Sequence, residues 1–448
     1  MRFRGLISLT AFVMVGLLSL TADAAAKRKR DEPWDIFNDP LLWMKDPVLN
    51  LADLPRSGAV KNELYSAHSW SQYRGGFAWR PNTANNMPRL EDIDYPVMDK
   101  SGDKEKILKM SQTELAKLSP AEKLSLINCD FTFTLVKEER ARYSKNVDQA
   151  RSVIQQKQKT NQKISLKEVP DGWFGHCNHA AELPLYFEEP TDSVIPACEG
   201  LQIPASSADL KALGMMALRK TYEQRKHDFI GLDCNNQSTT NDGFCATCAQ
   251  KMVENSSADE ETKKFLKAKI QKYLWTNKKQ EKDYLSTHSC KDLNPGSFFV
   301  LLANRVGKQG KAIIMDRDGD ATVWNRPIKN YQAEEIKSLG RRKPQPGAAE
   351  GTSYEIPMRT TIEFVSSVDS NQRTADRKQP VTTEKVTLDF YLEVRDTNGQ
   401  QEILGGSWIT KNHPDTFWKP ADKDLSGDAL LMGEYSKLKG FLKAQPSN

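Results

Sequence analysis

Cys177 sits in the stretch Gly172-Trp173-Phe174-Gly175-His176-Cys177-Asn178-His179-Ala180-Ala181-Glu182. Pro170 and two glycines precede the cysteine and a run of helix formers follows it, which predicts a loop-to-helix junction. A sulfur there lies near N–H groups that have no partner in their own helix. Those donors and the helix dipole favour thiolate, the nucleophilic form. A thiolate nucleophile also needs an imidazole to carry protons and a carboxylate to orient that imidazole. The backbone N–H of Cys177 itself is the expected oxyanion donor. His176 and His179 flank the sulfur, but neighbours one or two residues away rarely turn their side chains toward each other at a helix start. His288 lies beside Cys290 in a different part of the chain.

The elements that must position this stretch have readable signals. Ser111-Gln112-Thr113-Glu114 and Ser119-Pro120-Ala121-Glu122 have capping-box spacing, the second with proline at the first helical position. Leu124 to Arg140 continues as expected helix, and Asn146 to Lys167 as an exposed helix or loop insertion. His68 to Arg80 is aromatic and broken by glycine, which suits an ordered loop packed on a core. Val194 to Ile203 reads as extended, and Ser206 starts a helix with an apolar stripe through Leu210, Leu213, Ala217 and Leu218. Phe298 to Asn304 and Ala312 to Asp316 read as apolar strands. Beyond a Pro/Gly linker at 340–351, Ile356 to Val365, Glu384 to Arg395 and Ile403 to Ile409 give a β-rich unit, with a closing helix after Gly427.

Charge is high but balanced, 64 Lys and Arg against 59 Asp and Glu, and no basic run is interleaved with aromatics. Nucleic acid is therefore not an expected partner. Met1 to Arg4 is a positive n-region, Gly5 to Leu20 an apolar h-region and Ala22-Asp23-Ala24 a cleavage signal, with Ala26 as an alternative end. The expected product is exported, periplasmic or secreted, with no stable membrane anchor. In such a compartment most of seven cysteines should pair, and the odd count leaves Cys177 as the free thiol. Cys234 and Cys290 are an expected bridge, and Cys245-x-x-Cys248 is expected to pair rather than to hold metal. No metal and no cofactor is expected, and the turn Asp316-Arg317-Asp318-Gly319-Asp320 lacks the spacing of a calcium loop.

Several separated segments, in order, resemble the transglutaminase elicitor family. They are Tyr73-Arg74-Gly75-Gly76, Ser119 to Lys123, Gly175-His176-Cys177-Asn178, Ala208 to Leu213, Asn294 to Phe299 with Ala303-Asn304, and Asp316 with Thr322 to Pro327. Gly405-Gly406-Ser407-Trp408 and His413 to Trp418 complete the set. In the family the nucleophile loop continues with Gly-Trp, where this chain has His179 and Ala180.

The resemblance implies an α+β, papain-like or transglutaminase-like core with a Cys-His-Asp triad. The implied organisation is a signal peptide over 1–26, an extension over 27–110, the core over 111–340 with insertions near 146–168 and 249–285, and a β-rich region over 352–448. Carried over position by position, Cys177 is the nucleophile, Asp316 the orienting carboxylate, and Phe299 stands where the family has its histidine. His176, His179 and His288 are then the substitute bases. The implied function is acyl transfer from glutamine or peptide amides through a thioester. One alternative is a catalytically silent fold binding envelope protein or peptidoglycan peptides, and another is a cysteine protease or amidase. The substrate in each case is a protein or peptidoglycan peptide, and the sequence leaves the oligomeric state open.

Overall fold

The computed structural model describes residues 34–446, apart from 81–89, 95, 99, 101–102, 163, 165–167, 170–174, 232–245, 278–291, 318–322, 368–380 and 422–425. The chain is α+β, with a helical body and an antiparallel sheet, each with its own apolar core. Among the described residues ten strands are formed: β1 (Ser57–Ala59), β2 (Ser193–Pro196), β3 (Gln202–Ala205), β4 (His227–Ile230), β5 (Ile314–Asp316), β6 (Asn325–Glu335), β7 (Tyr354–Val365), β8 (Thr383–Thr397), β9 (Gln400–Trp408) and β10 (Phe417–Pro420). The large sheet runs β4-β10-β5-β6-β7-β8-β9, with β1 added on β6. The C-terminal strands thus extend the sheet that carries Asp316.

In the helical body, Ser111, Ser119 and Ser206 each close a capping box with the acid three residues on. These boxes open the helices Gln112–Ala116, Pro120–Ile127 and Ser207–Lys220. Trp70, Phe77 and Trp79 from the aromatic loop are buried among Leu124, Leu210 and Leu213. Helix Ser144–Lys159 turns Ala150 and Ile154 onto Tyr73 and Ile93, and so is amphipathic rather than fully exposed. The segment expected as one helix from Leu124 to Arg140 is two, Pro120–Ile127 and Thr134–Arg142. The Asp130 carboxylate breaks it by accepting from the N–H groups of Thr132 and Thr134. Cys198, in the turn of the β2–β3 hairpin, forms a disulfide with Cys129 beside that break.

Phe298 to Asn304, expected as a strand, is helix: Pro295–Leu301 continues into a π-helical stretch over Leu302–Gln309. Residues 298–302 are fully buried, and an element apolar on every side shows neither a period of two nor one of 3.6. What decides is the start, where the Asn294 side chain accepts from Gly296 N–H and Pro295 stands at the first helical position. Gly296 also lets the helix meet β9, since a Cβ there would sit 2.5 Å from the Gly405 carbonyl oxygen. After Gly427 the expected helix is only the short turn Gly427–Leu430 and a 3-10 turn at Gly433–Leu438.

Candidate active site

Cys177 is the first residue of helix Cys177–Tyr186. Ala180 and Leu183 of this helix join the helical core, whereas Ala181 packs on Ile314 of β5 and Trp418 of β10. The helix is therefore the seam between the two bodies, and its N-terminus opens where they meet. The approach is tight: His176 N–H donates to the Ser69 carbonyl at 2.6 Å, and a Cβ on Gly175 would lie 2.5 Å from that same oxygen. Only glycine fits there, which accounts for the residue before the histidine.

The thiol is free and half-buried. It donates to the Val323 carbonyl at 3.5 Å, and Asn325 Nδ2 approaches it at 3.7 Å. The orientation of the Asn325 amide follows from chemistry. Trp418 Nε1–H can only donate and lies 2.6 Å from Asn325 Oδ1. The amide oxygen is thereby committed, and the NH2 group faces the sulfur. Asp316 pairs with Asn325 across β5 and β6, is 2% exposed, and accepts from the Trp324 N–H at 2.8 Å. Its carboxylate holds the backbone next to Asn325. Cys177, Asp316, Val323, Asn325, His227 and Trp418 all line one cavity of about 850 Å³, within the usual range for ligand sites.

The other residues singled out in the sequence lie elsewhere. The His176 ring is stacked on Phe77 at 4.3 Å, with Nε2 3.1 Å from the Tyr143 hydroxyl. Burial, with the nearby Arg219 charge, lowers its pKa well below the usual histidine value. His179 is buried with neither ring nitrogen hydrogen-bonded, and burial pushes it down to about 3. Neither is among the residues that line the cavity. Phe299 is in the sheet core against Phe390, with Arg56 over its ring, and does not line the cavity either. His288 lies outside the described residues, as do Cys234, Cys245, Cys290 and the Cys248 side chain, and with them the expected Cys234–Cys290 bridge.

Three cavity residues escaped the sequence reading: Asn325, Trp418 and His227. Asn325 and Trp418 were visible only inside segments that resemble the family, with no role of their own. His227 carried no local signal, because its partner Glu182 is 45 residues away. One further set of metal-type donors exists among the described residues: Asp292, His413 and Asp415 bring ligand atoms within 4.8 Å of one another, outside the cavity lining.

Comparison with curated proteins finds no match. Among solved structures, the crystal structure of the GP42 transglutaminase from Phytophthora sojae aligns with a TM-score of 0.49 and 15% identity, covering 86% of this chain and 90% of that one. The family model described as transglutaminase elicitor matches residues 268–445. That segment holds Asp316, Asn325 and Trp418 and begins after Cys177. Over residues 268–445, then, this chain is similar to the transglutaminase elicitor family.

Proposed function

We propose that the cavity is an acyl-transfer site of an exported protein, in which Cys177 captures a glutamine or peptide carboxamide as a thioester and passes the acyl group to an amine. The observation that carries this reading is a free thiol at a helix N-terminus, opening on a cavity that Asp316 and Asn325 also line. The sulfur attacks the amide carbon, ammonia leaves, and an amine such as a lysine side chain displaces the sulfur. The Asn325 NH2 and the first N–H groups of the helix are donors aimed at the reacting centre, the kind of preorganised groups that stabilise an oxyanion. Export is supported by the leader-like N-terminus, by the Cys129–Cys198 disulfide, and by the lack of any described helix long and apolar enough to cross a membrane.

The rival reading is a groove that binds peptide without turning it over. Its support is that the two groups on Sγ are a carbonyl and an amide, neither of them a useful base. The mature protein, incubated with a glutamine donor and a labelled amine, separates the two. The expected outcome is amine incorporation that Cys177→Ser abolishes. Peptide binding at saturating concentration with no incorporation across pH 6–9 establishes the rival instead.

A further inference from the structure

We propose that His227, held by Glu182 and Arg225, is the acid–base residue of the Cys177 cavity; this rests on the acyl-transfer reading above. His227 opens β4, pairs with Pro420 of β10, and lines the cavity together with Cys177 and Asn325. Its ring is stacked on Tyr222 at 4.6 Å and meets Trp418 edge-on at 5.6 Å. Nε2 lies 3.0 Å from Glu182 Oε1. Glu182 is on the same helix as Cys177, five residues on, is fully buried, and also takes both terminal nitrogens of Arg225.

The tautomer follows from these contacts. Burial opposes the Glu182 charge, but the bonds from His227 and Arg225 outweigh it and hold the carboxyl at about 2. Arg225 Nη1, a donor only, also lies 3.3 Å from Nε2, but the ionised carboxylate at 3.0 Å only accepts and is the nearer partner, so in the neutral ring Nε2 carries the hydrogen and Nδ1 keeps its lone pair. Among the described residues nothing hydrogen-bonds Nδ1, and His227 keeps 8% of its surface exposed. An imidazole fixed by a carboxylate on one nitrogen and open on the other, on the wall of the cavity that Cys177 also lines, supplies the oriented base that a thiol nucleophile calls for. His176 and His179 lack it: one is tied to Tyr143 and the other is buried without partners. The charged and titratable groups around His227 are Glu182, Arg225, Tyr222 and His179 on the protein side. Cys177, Asp316, Glu223, Lys226 and Lys251 are the others that line the cavity.

In acylation the C–S bond forms, and the thiol proton crosses the cavity to Nδ1 and then to the departing nitrogen. The C–N bond breaks and ammonia leaves. In deacylation the amine nitrogen forms a new C–N bond to the acyl carbon and loses a proton to Nδ1, the C–S bond breaks, and the sulfur recovers the proton. The imidazole begins and ends neutral, and Glu182 stabilises the imidazolium between.

Two measurements test this. In the full mature protein, ¹⁵N spectra of the His227 ring at pH 8 should show the Nε2–H tautomer, and the Nδ1–H tautomer overturns the assignment with no variant needed. His227→Gln, with its melting temperature checked, should lose at least 100-fold in amine incorporation. A folded His227→Gln protein within threefold of wild type sinks the role of His227 while leaving acyl transfer standing. A wild-type protein with no incorporation at any pH removes both.

Discussion

At the scale of single residues, the site turns on which atom of Asn325 faces the sulfur. The Trp418 indole makes that choice, because it has a donor and no acceptor. Trp418→Phe keeps an aromatic ring in contact with Ala181 and Ile314 but removes the donor. The Asn325 oxygen then loses its partner and the amide is free to turn over. Turnover is expected to fall tenfold or more, with a stability loss of about 1–3 kcal/mol. Amine-incorporation kinetics and urea unfolding measure the two effects. A variant with unchanged kinetics would show that the amide's direction has no part in the chemistry.

At the scale of elements, helix Cys177–Tyr186 carries opposed loads. Its first turn presents the thiol, and the same turn buries His179 with its charge suppressed. The unfolded chain takes up a proton near the ordinary histidine value of about 6.5. The folded helix refuses it until about 3. The pKa is depressed on folding, so the unfolded state binds more protons throughout this window. Stability is fully present above 6.5 and is lost as pH falls toward 3, by at most about 1.4 kcal/mol per pH unit. Urea midpoints from pH 7 to pH 4 should show the decline, and His179→Phe should flatten it. An equal slope in the two proteins assigns the acid sensitivity to other groups, Glu182 among them, whose own loss lies lower, between about 4.5 and 2.

At the scale of the molecule, the helical body is tied by buried charge pairs as well as by its apolar core. Lys123 meets Asp209 at 2.7 Å, Lys211 meets Glu189 at 2.7 Å, and Arg80 meets Glu122. Each pair joins segments far apart in the chain. Lys123 and Asp209 are at most 1% exposed, so removing one partner strands the other's charge. Lys123→Met should cost about 3–5 kcal/mol. The double variant Lys123→Met, Asp209→Asn, which removes the stranded charge but leaves an amide oxygen to close the Ser206 capping box, should recover part of that loss. Chemical denaturation of the three proteins closes the cycle, and a double variant no better than the single one rules out charge stranding as the cause.

Features encoded by local chemistry are legible in the amino-acid sequence. Capping boxes at Ser111, Ser119 and Ser206 are complete within four residues, and so each helix started where its sequence placed it. The glycine-cysteine junction likewise put Cys177 at a helix start. The fully apolar run at 298–304 is helix where its composition suggests strand, because burial on all sides erases periodicity. Only the tertiary structure decided the membership of the cavity. Asn325 reaches the sulfur because β5 and β6 pair in one register, and Trp418 reaches Asn325 because β10 inserts between β4 and β5. His227 meets Glu182 because strand and helix close on each other across 45 residues. Contacts made between segments so far apart leave no trace in spacing, and the partners of Cys177 are contacts of that kind.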